Sequence, residues 1–159
     1  IILATGFDAM TGSIMRIAIT GRDGLTIQDK WSAGPRTYLG LTVPGFPNMF
    51  AISGPGSPSV LTNMIISIEQ HVEWISDCIS WLDSKGASSI EALPSAEDEW
   101  VEHVNAKADR TLFPGCNSWY LGANVPGKTR VFMPLLGFPG YVRRCEQVAA
   151  NEYEGFVVR

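Results

Sequence analysis

The longest periodic segment lies in the middle of the chain. Between about residues 59 and 84 the apolar positions Leu61, Met64, Ile65, Ile68, Val72, Ile75, Ile79 and Leu82 recur mostly three and four residues apart, which predicts one helix with one apolar stripe. Ser95-Ala96-Glu97-Asp98 places an acid three positions after a Ser. That spacing predicts a capping box and a second helix to about Arg110, with Trp100, Val101, Val104 and Ala108 inward and Glu97, Glu99, Glu102 and Lys107 in water. Residues 141–150 predict a last helix. The β signals are shorter. Ile1-Ile2-Leu3-Ala4-Thr5-Gly6 runs apolar into a glycine, as does a strand covered on both faces in a parallel sheet. Residues 49–52, 130–134 and 156–158 read as short strands, 14–19 with 25–27 as a small β excursion, and 29–35 as a short helix or turn ended by Gly-Pro. Val43-Pro44-Gly45-Phe46-Pro47-Asn48 must be a loop, because proline has no donor for a ladder. The pattern as a whole predicts an α/β chain.

Composition narrows the partners. The 159 residues are 45% hydrophobic and 18% charged with a formal charge of -4, which argues for a packed core and against a nucleic-acid surface. Cys78, Cys116 and Cys145 are odd in number and scattered, unlike a disulfide scaffold or a zinc site, and point to a reduced, cytoplasmic setting. The apolar run from Met64 to Leu82 is broken by Glu69, Gln70, His71, Glu73 and Asp77, so no membrane span is expected. His71 and His103 lack a second ligand at metal spacing and are expected at the surface or boundary, with no metal bound. No serine lies in a nucleophile elbow. Glu69 and Glu73 read as a solvated acidic face.

Candidate chemistry falls at three places. Strand 49–52, the turn Ser53-Gly54-Pro55-Gly56-Ser57-Pro58 and the helix start form an arrangement that aims free N–H groups and a helix dipole at a ligand. Its prolines also suit a rigid turn that merely aims the helix, and both readings stand. Thr5-Gly6-Phe7-Asp8 closes a strand where a cofactor is met in α/β sheets, or is a simple turn. The segment 111–128 is rich in Gly, Pro, Asn and aromatics. Its Trp119 and Tyr120 either cover a flat aromatic ligand or fold back on the core.

Ala4-Thr5-Gly6-Phe7-Asp8-Ala9, Trp31-x-x-Gly34-Pro35-Arg36-Thr37-Tyr38-Leu39-Gly40, Gly45-Phe46-Pro47-Asn48-Met49-Phe50, Gly54-Pro55-Gly56-Ser57-Pro58-Ser59 and Trp119-Tyr120-x-Gly122-Ala123-Asn124-Val125-Pro126-Gly127-Lys128 resemble, in this order, type I Baeyer–Villiger monooxygenases. The resemblance covers nearly the whole chain and corresponds to a C-terminal third of such an enzyme. It implies the C-terminal part of a flavoprotein with two dinucleotide-binding domains, a long helix, a mobile control loop at about 111–130 and short strands. Residues 1–45 would be the junction between the NADP-binding and FAD-binding domains, and 46–159 the C-terminal part of the FAD-binding domain.

The activity implied is conversion of ketones to esters or lactones with FAD, NADPH and O₂. Thr5, Gly6, Asn63, Met64 and Trp119 match cofactor-binding positions, with Trp119 hydrogen-bonding the nicotinamide cofactor when the control loop closes. Ser59, Val60, Leu61, Thr62 and Met133 match the substrate pocket. Both dinucleotide fingerprints and the catalytic Arg of the family belong upstream of Ile1, so no catalytic residue is assigned, the partner is the missing N-terminal part of the same enzyme, and the chain alone is expected to be inactive. Gly137-Phe138-Pro139-Gly140 departs from the family pattern. An N- or S-oxygenating flavin monooxygenase, or a non-catalytic flavin-binding or docking module, are the alternatives.

Overall fold

The computed structural model describes residues 1–3, 8–58, 62–123, 125–127 and 137–159. Its elements are α1 (Ile27–Lys30), α2 (Met64–Ser84), β1 (Ile90–Ala92), α3 (Pro94–Ala108), α4 (Phe138–Ala150) and β2 (Phe156–Val158), with single 3-10 turns at Ile14–Arg16, Arg22–Gly24, Phe113–Gly115 and Trp119–Leu121.

The long helix is present, but its buried face is not the expected one. Ser67, His71, Trp74, Cys78 and Leu82 turn inward, while Ile65, Ile68, Val72 and Ile79 are exposed. Trp74 decides the orientation. Its indole is the largest group that the helix buries, its Nε1 donates to the Cys145 carbonyl at 2.9 Å, and its ring meets Tyr153 edge-on at 5.2 Å and tilts against Phe156 at 6.2 Å. Burying an aromatic with its donor satisfied outweighs burying an additional isoleucine. Ser67 and Cys78 are small enough to let the neighbouring elements approach.

The start of α3 also differs. Pro94 occupies the first turn and Leu93 is the N-cap with no side-chain hydrogen bond, so Ser95 lies inside the helix and forms no capping box. Proline's fixed φ and missing donor suit that first position. Glu97, expected in water, is buried and pairs with Lys30 Nζ at 2.8 Å and Arg36 Nε at 3.4 Å; Arg36 also pairs with Asp98. These charges fasten α3 to the segment carrying α1.

β1 and β2 form an antiparallel two-stranded ribbon in register Ile90↔Val158, Glu91↔Val157 and Ala92↔Phe156. The closing strand was legible, whereas β1 was not. Residues 49–52 are not a strand; Ala51 N–H donates to the Leu41 carbonyl at 2.7 Å, so this apolar stretch is a loop that buries Ala51 and leaves Ile52 exposed, rather than a ladder. Residues 14–16 form a 3-10 turn, and the β character nearby is one bridge, Thr20 to Thr26. Ile1–Leu3 are exposed and outside any strand, and without a ladder partner their apolar character does not make one. Residues 4–7 and the expected strand 130–134 lie outside the described residues. α4 begins at Phe138, earlier than expected, because Pro139 is tolerated in a first turn.

The main core joins Tyr38, Leu39 and Leu41 to the inner faces of α2, α3 and α4. Tyr141 OH donates to the Leu39 carbonyl at 3.0 Å and Tyr38 OH to the Glu154 carbonyl at 3.1 Å. A smaller core of Ile27, Trp31, Val43 and Phe46 takes in Ile14, Met15, Ile19, Leu25 and Met49.

Replacing Trp74 tests the constraint on α2. Trp74→Ala is expected to cost about 3–5 kcal/mol of unfolding free energy, and Trp74→Phe less, because a ring remains while the bond to Cys145 is lost. Urea unfolding of both variants measures the difference.

Candidate functional site

The turn that leads into α2 is held from three sides. Ser53 N–H donates to His71 Nδ1 on α2 at 3.1 Å, Trp100 Nε1 on α3 donates to the Gly56 carbonyl at 3.2 Å, and the Thr37 hydroxyl donates to the Pro55 carbonyl at 2.5 Å. Ser57 Oγ closes the turn on the Gly54 carbonyl at 2.7 Å. A Cβ on Gly54 would stand 2.4 Å from the Gly40 carbonyl oxygen, and one on Gly40 2.3 Å from Ser57 N. At Gly40 and Gly54 the turns 37–42 and 53–58 therefore meet main chain against main chain, which requires glycine at both points. With Pro55 and Pro58 bearing no donor and these carbonyls bonded inward, the contacts support a rigid turn that aims α2 rather than a cradle of N–H groups.

At the helix start, Asn63 Oδ1 accepts from Ile65 N–H at 3.0 Å and Ile66 N–H at 3.5 Å. This is an ordinary N-cap, and it consumes donors that a ligand would otherwise meet. Asn63 Nδ2 makes no hydrogen bond among the described residues.

Beside this start lies a cavity of about 280 Å³ lined by Ala9, Met10, Ser53, Gly54, Pro55, Ser57, Pro58, Met64, Trp119 and Tyr120. Trp119 belongs to a short 3-10 turn whose N-cap Ser118 accepts from Tyr120 N–H. Its ring stacks on Tyr120 at 4.1 Å between centroids, and Tyr120 in turn meets Phe113 edge-on at 5.5 Å. Tyr120 and Leu121 are buried while Trp119 is 41% exposed. The aromatic segment thus divides its work, with Tyr120 folded back as an anchor and Trp119 presented at the cavity. Among the described residues, Trp119 Nε1 has no acceptor.

Among the described residues, the cavity lining contains no carboxylate, histidine, cysteine or lysine. The largest displacements of titration belong to the core. His71, expected near the surface, is fully buried, and burial holds its imidazole down to about 4. With Nδ1 accepting from Ser53, the neutral ring carries its proton on Nε2, and it meets Tyr141 edge-on at 5.5 Å. Burial pushes the Cys78 thiol up to about 12 and the Cys145 thiol up to about 11, so both are unreactive packing groups.

Of the sequence-predicted residues, Met64 and Trp119 line the cavity together and Asn63 caps the helix beside it. Thr62 is half-buried just before that cap. Thr5, Gly6, Ser59, Val60, Leu61 and Met133 lie outside the described residues. A larger cleft of about 450 Å³ between α3 and α4, lined among others by Trp100, His103, Lys107, Arg143 and Arg144, includes none of them. No group of three or more potential metal ligands occurs among the described residues, nor is any described helix long and apolar enough to cross a membrane.

No family model matches the chain. A Baeyer–Villiger monooxygenase from Pseudooceanicola batsensis is 42% identical over 156 residues, which are 98% of this chain and 28% of its own length. A cyclohexanone 1,2-monooxygenase from Acinetobacter sp. is 43% identical over 160 residues, covering 100% of this chain. The solved OTEMO complex with FAD and NADP matches with a TM-score of 0.87 at 41% identity, over 98% of this chain and 28% of that one. The chain corresponds to a segment of the Baeyer–Villiger monooxygenases. It spans about 29% of the length of the curated relatives it matches.

Within this Baeyer–Villiger segment, Met10 is a wall of the cavity that no sequence signal marked. Ala9 was visible only as the last residue of a quoted motif. Both reach the cavity through a turn in which Gly12 N–H bonds the Asp8 carbonyl at 3.1 Å, a local fold without periodicity.

The buried His71 gives the site a pH dependence. The unfolded chain takes up a proton near 6.5, whereas the folded imidazole resists until about 4. Its contribution to stability is therefore whole above the unfolded value and is lost as the pH falls between them, on the order of 3 kcal/mol. His71→Gln is expected to flatten that part of the stability profile, as read by urea unfolding at pH 7.5, 5.5 and 4.5.

Proposed function

We propose that the chain is part of an FAD- and NADPH-dependent monooxygenase that converts ketones to esters or lactones with O₂, and that the 280 Å³ cavity is where this segment meets its cofactors. The observation that carries the reading is the convergence of Met64 and Trp119 on one cavity whose described lining is largely apolar, with hydroxyls but no carboxylate, imidazole, thiol or amine. The cavity lies near the lower end of the ~300–1,000 Å³ of small-molecule sites. It suits one edge of a flat ring system, and the rest of a dinucleotide would lie against parts of the polypeptide beyond this segment.

Bound flavin, reduced by NADPH, supplies the redox and oxygen chemistry. The Met64 thioether offers a polarisable surface to a ring. Asn63 Nδ2 and the dipole of α2 favour electron-rich or anionic atoms at the helix start. Trp119 offers an indole N–H with no acceptor among the described residues, which is what a partner in the nicotinamide cofactor needs. Closure of the segment at about 111–130 would exclude water from the cavity. In the same reading Thr5 and Gly6 touch cofactor, Ser59, Val60, Leu61, Thr62 and Met133 shape the ketone pocket, and the catalytic Arg and dinucleotide fingerprints belong to the rest of the enzyme, which is the partner of this segment.

We place the division between a junction and the FAD-binding part at about residue 45. The small core of Ile27, Trp31 and Val43 lies before that point, but Phe46 and Met49 join it from beyond, and the 38–41 turn sends its side chains to the main core. Free thiols at Cys78, Cys116 and Cys145 support a cytoplasmic setting.

The full-length enzyme is expected to oxidise NADPH and yield an ester from a ketone, as read by product mass spectrometry. Formation of only an N-oxide or sulfoxide would replace this reading with the N- or S-oxygenating one. The chain of 159 residues alone is expected to show no such turnover. In the full-length enzyme Trp119→Phe keeps the ring and removes the N–H, and is expected to raise KM for NADPH roughly tenfold, the worth of about one hydrogen bond, with FAD content unchanged.

A further inference from the structure

The cleft of about 450 Å³ between α3 and α4 runs against the charge of the chain around it. The chain carries a formal charge of -4, yet Lys107 from α3 and Arg143 and Arg144 from α4 all line this one cleft, with Glu99 as the lone carboxylate of its lining. Among the described residues no carboxylate pairs with any of these three cations, whereas Arg22, Lys30 and Arg36 are each met by one. The two helices bring their charges into the same space. Beyond the effect of partial burial, Lys107 from one side and Arg144 from the other hold the His103 imidazole below its ordinary range. Like charges gathered in this way repel, and an anion between them removes that cost.

The floor is aromatic and the mouth is open. Trp100 and Tyr141 are buried beneath the cleft, and His103 stacks on Trp100 with centroids 5.2 Å and planes 25° apart. At the mouth, a Cβ on Gly137 would meet nothing within 4 Å, and one on Gly140 would meet only the Arg143 guanidinium at 3.9 Å. Arg143 therefore leans back over the first turn of α4, where the positive end of the helix dipole adds to its charge. These glycines belong to the stretch Gly137-Phe138-Pro139-Gly140 that departs from the family pattern.

We propose that this cleft is a binding site for an organic phosphomonoester, with its phosphate on Lys107, Arg143 and Arg144 and its organic body against His103 and Trp100. Charge selects the phosphate. With Glu99 set against the three cations and His103 neutral, the lining holds two positive charges in excess, which the roughly -1.5 to -2 of a phosphomonoester at pH 7 meets and a single carboxylate does not. Two guanidiniums supply the forked donors that phosphate oxygens accept. Size selects the organic body. The cleft lies within the ~300–1,000 Å³ of small-molecule sites, far more than a bare phosphate fills. None of its lining residues belongs to the cavity at the start of α2, so the site stands independently of the functional reading above.

The test is isothermal titration calorimetry on the full-length protein, with NADP present at saturation so that phosphate subsites of a dinucleotide are already filled. The probes are phenyl phosphate, inorganic phosphate and benzoate. Phenyl phosphate is expected to bind roughly tenfold more tightly than either of the others, because only it offers both the dianion and the ring. The double variant Arg143→Gln/Arg144→Gln is expected to weaken it by roughly tenfold or more, and Glu99→Gln to tighten it by roughly threefold. Opposite directions in the two variants exclude misfolding as the cause, and the thermal midpoint of each reports its fold. Absence of phenyl phosphate binding to the parent protein would overturn the site, as would an affinity unchanged in the double variant. Benzoate binding as tightly would overturn the phosphate, and inorganic phosphate binding as tightly would overturn the organic body.

Discussion

The burial of Trp74 fixes the rest of the molecule. One side chain, with its N–H on the Cys145 carbonyl and its ring against Tyr153 and Phe156, joins α2 to α4 and to the closing strand. Once it is inside, the helix has no remaining rotational freedom. His71, just under one turn earlier, must also be inside, where it takes the Ser53 N–H. That bond seats the 53–58 turn, and the turn is a wall of the cavity. A choice made for packing thus sets where Met64 stands, and the helix start is aimed by the core rather than by anything at the site.

Helix existence was legible from spacing, because three-and-four periodicity depends only on the local chain. Which face turns inward was not, because α2 carries more large aliphatics on its exposed side than on its buried one. Ser67, His71 and Cys78 read as polar or neutral positions, yet they fill the contact with neighbouring elements that a bulkier residue would push away. The same limit applies to Glu97, whose burial depends on Lys30 and Arg36 far away in sequence. Short apolar runs misled in the opposite direction. Residues 49–52 are a loop in which Met49 and Phe50 pack against the two cores and Ile52 stays exposed, and an apolar loop needs no ladder when its N–H groups find carbonyls singly, as Ala51 does with Leu41.

Site positions were legible to the extent that motifs carried them. Met64 and Trp119 were named by resemblance, and no local pattern states that a helix start and a distant aromatic turn share a cavity. Met10 illustrates the remainder. It reaches the cavity through a single backbone turn closed by Gly12 N–H on the Asp8 carbonyl and leaves no periodic trace, so only three-dimensional placement finds it. The buried thiols and imidazole would attract notice as candidate chemistry by residue type, whereas their environments make them neutral structural groups.

The direct meeting of Gly40 with the 53–58 turn has a practical meaning for redesign. Where two turns touch through main chain, no intervening side-chain layer can shrink, swell or repack, so the frame keeps its dimensions while the residues mounted beyond it are exchanged. Substitutions that add a side chain at Gly40 or Gly54 therefore cannot be absorbed by repacking, and both glycines act as hinge pins that are never drawn.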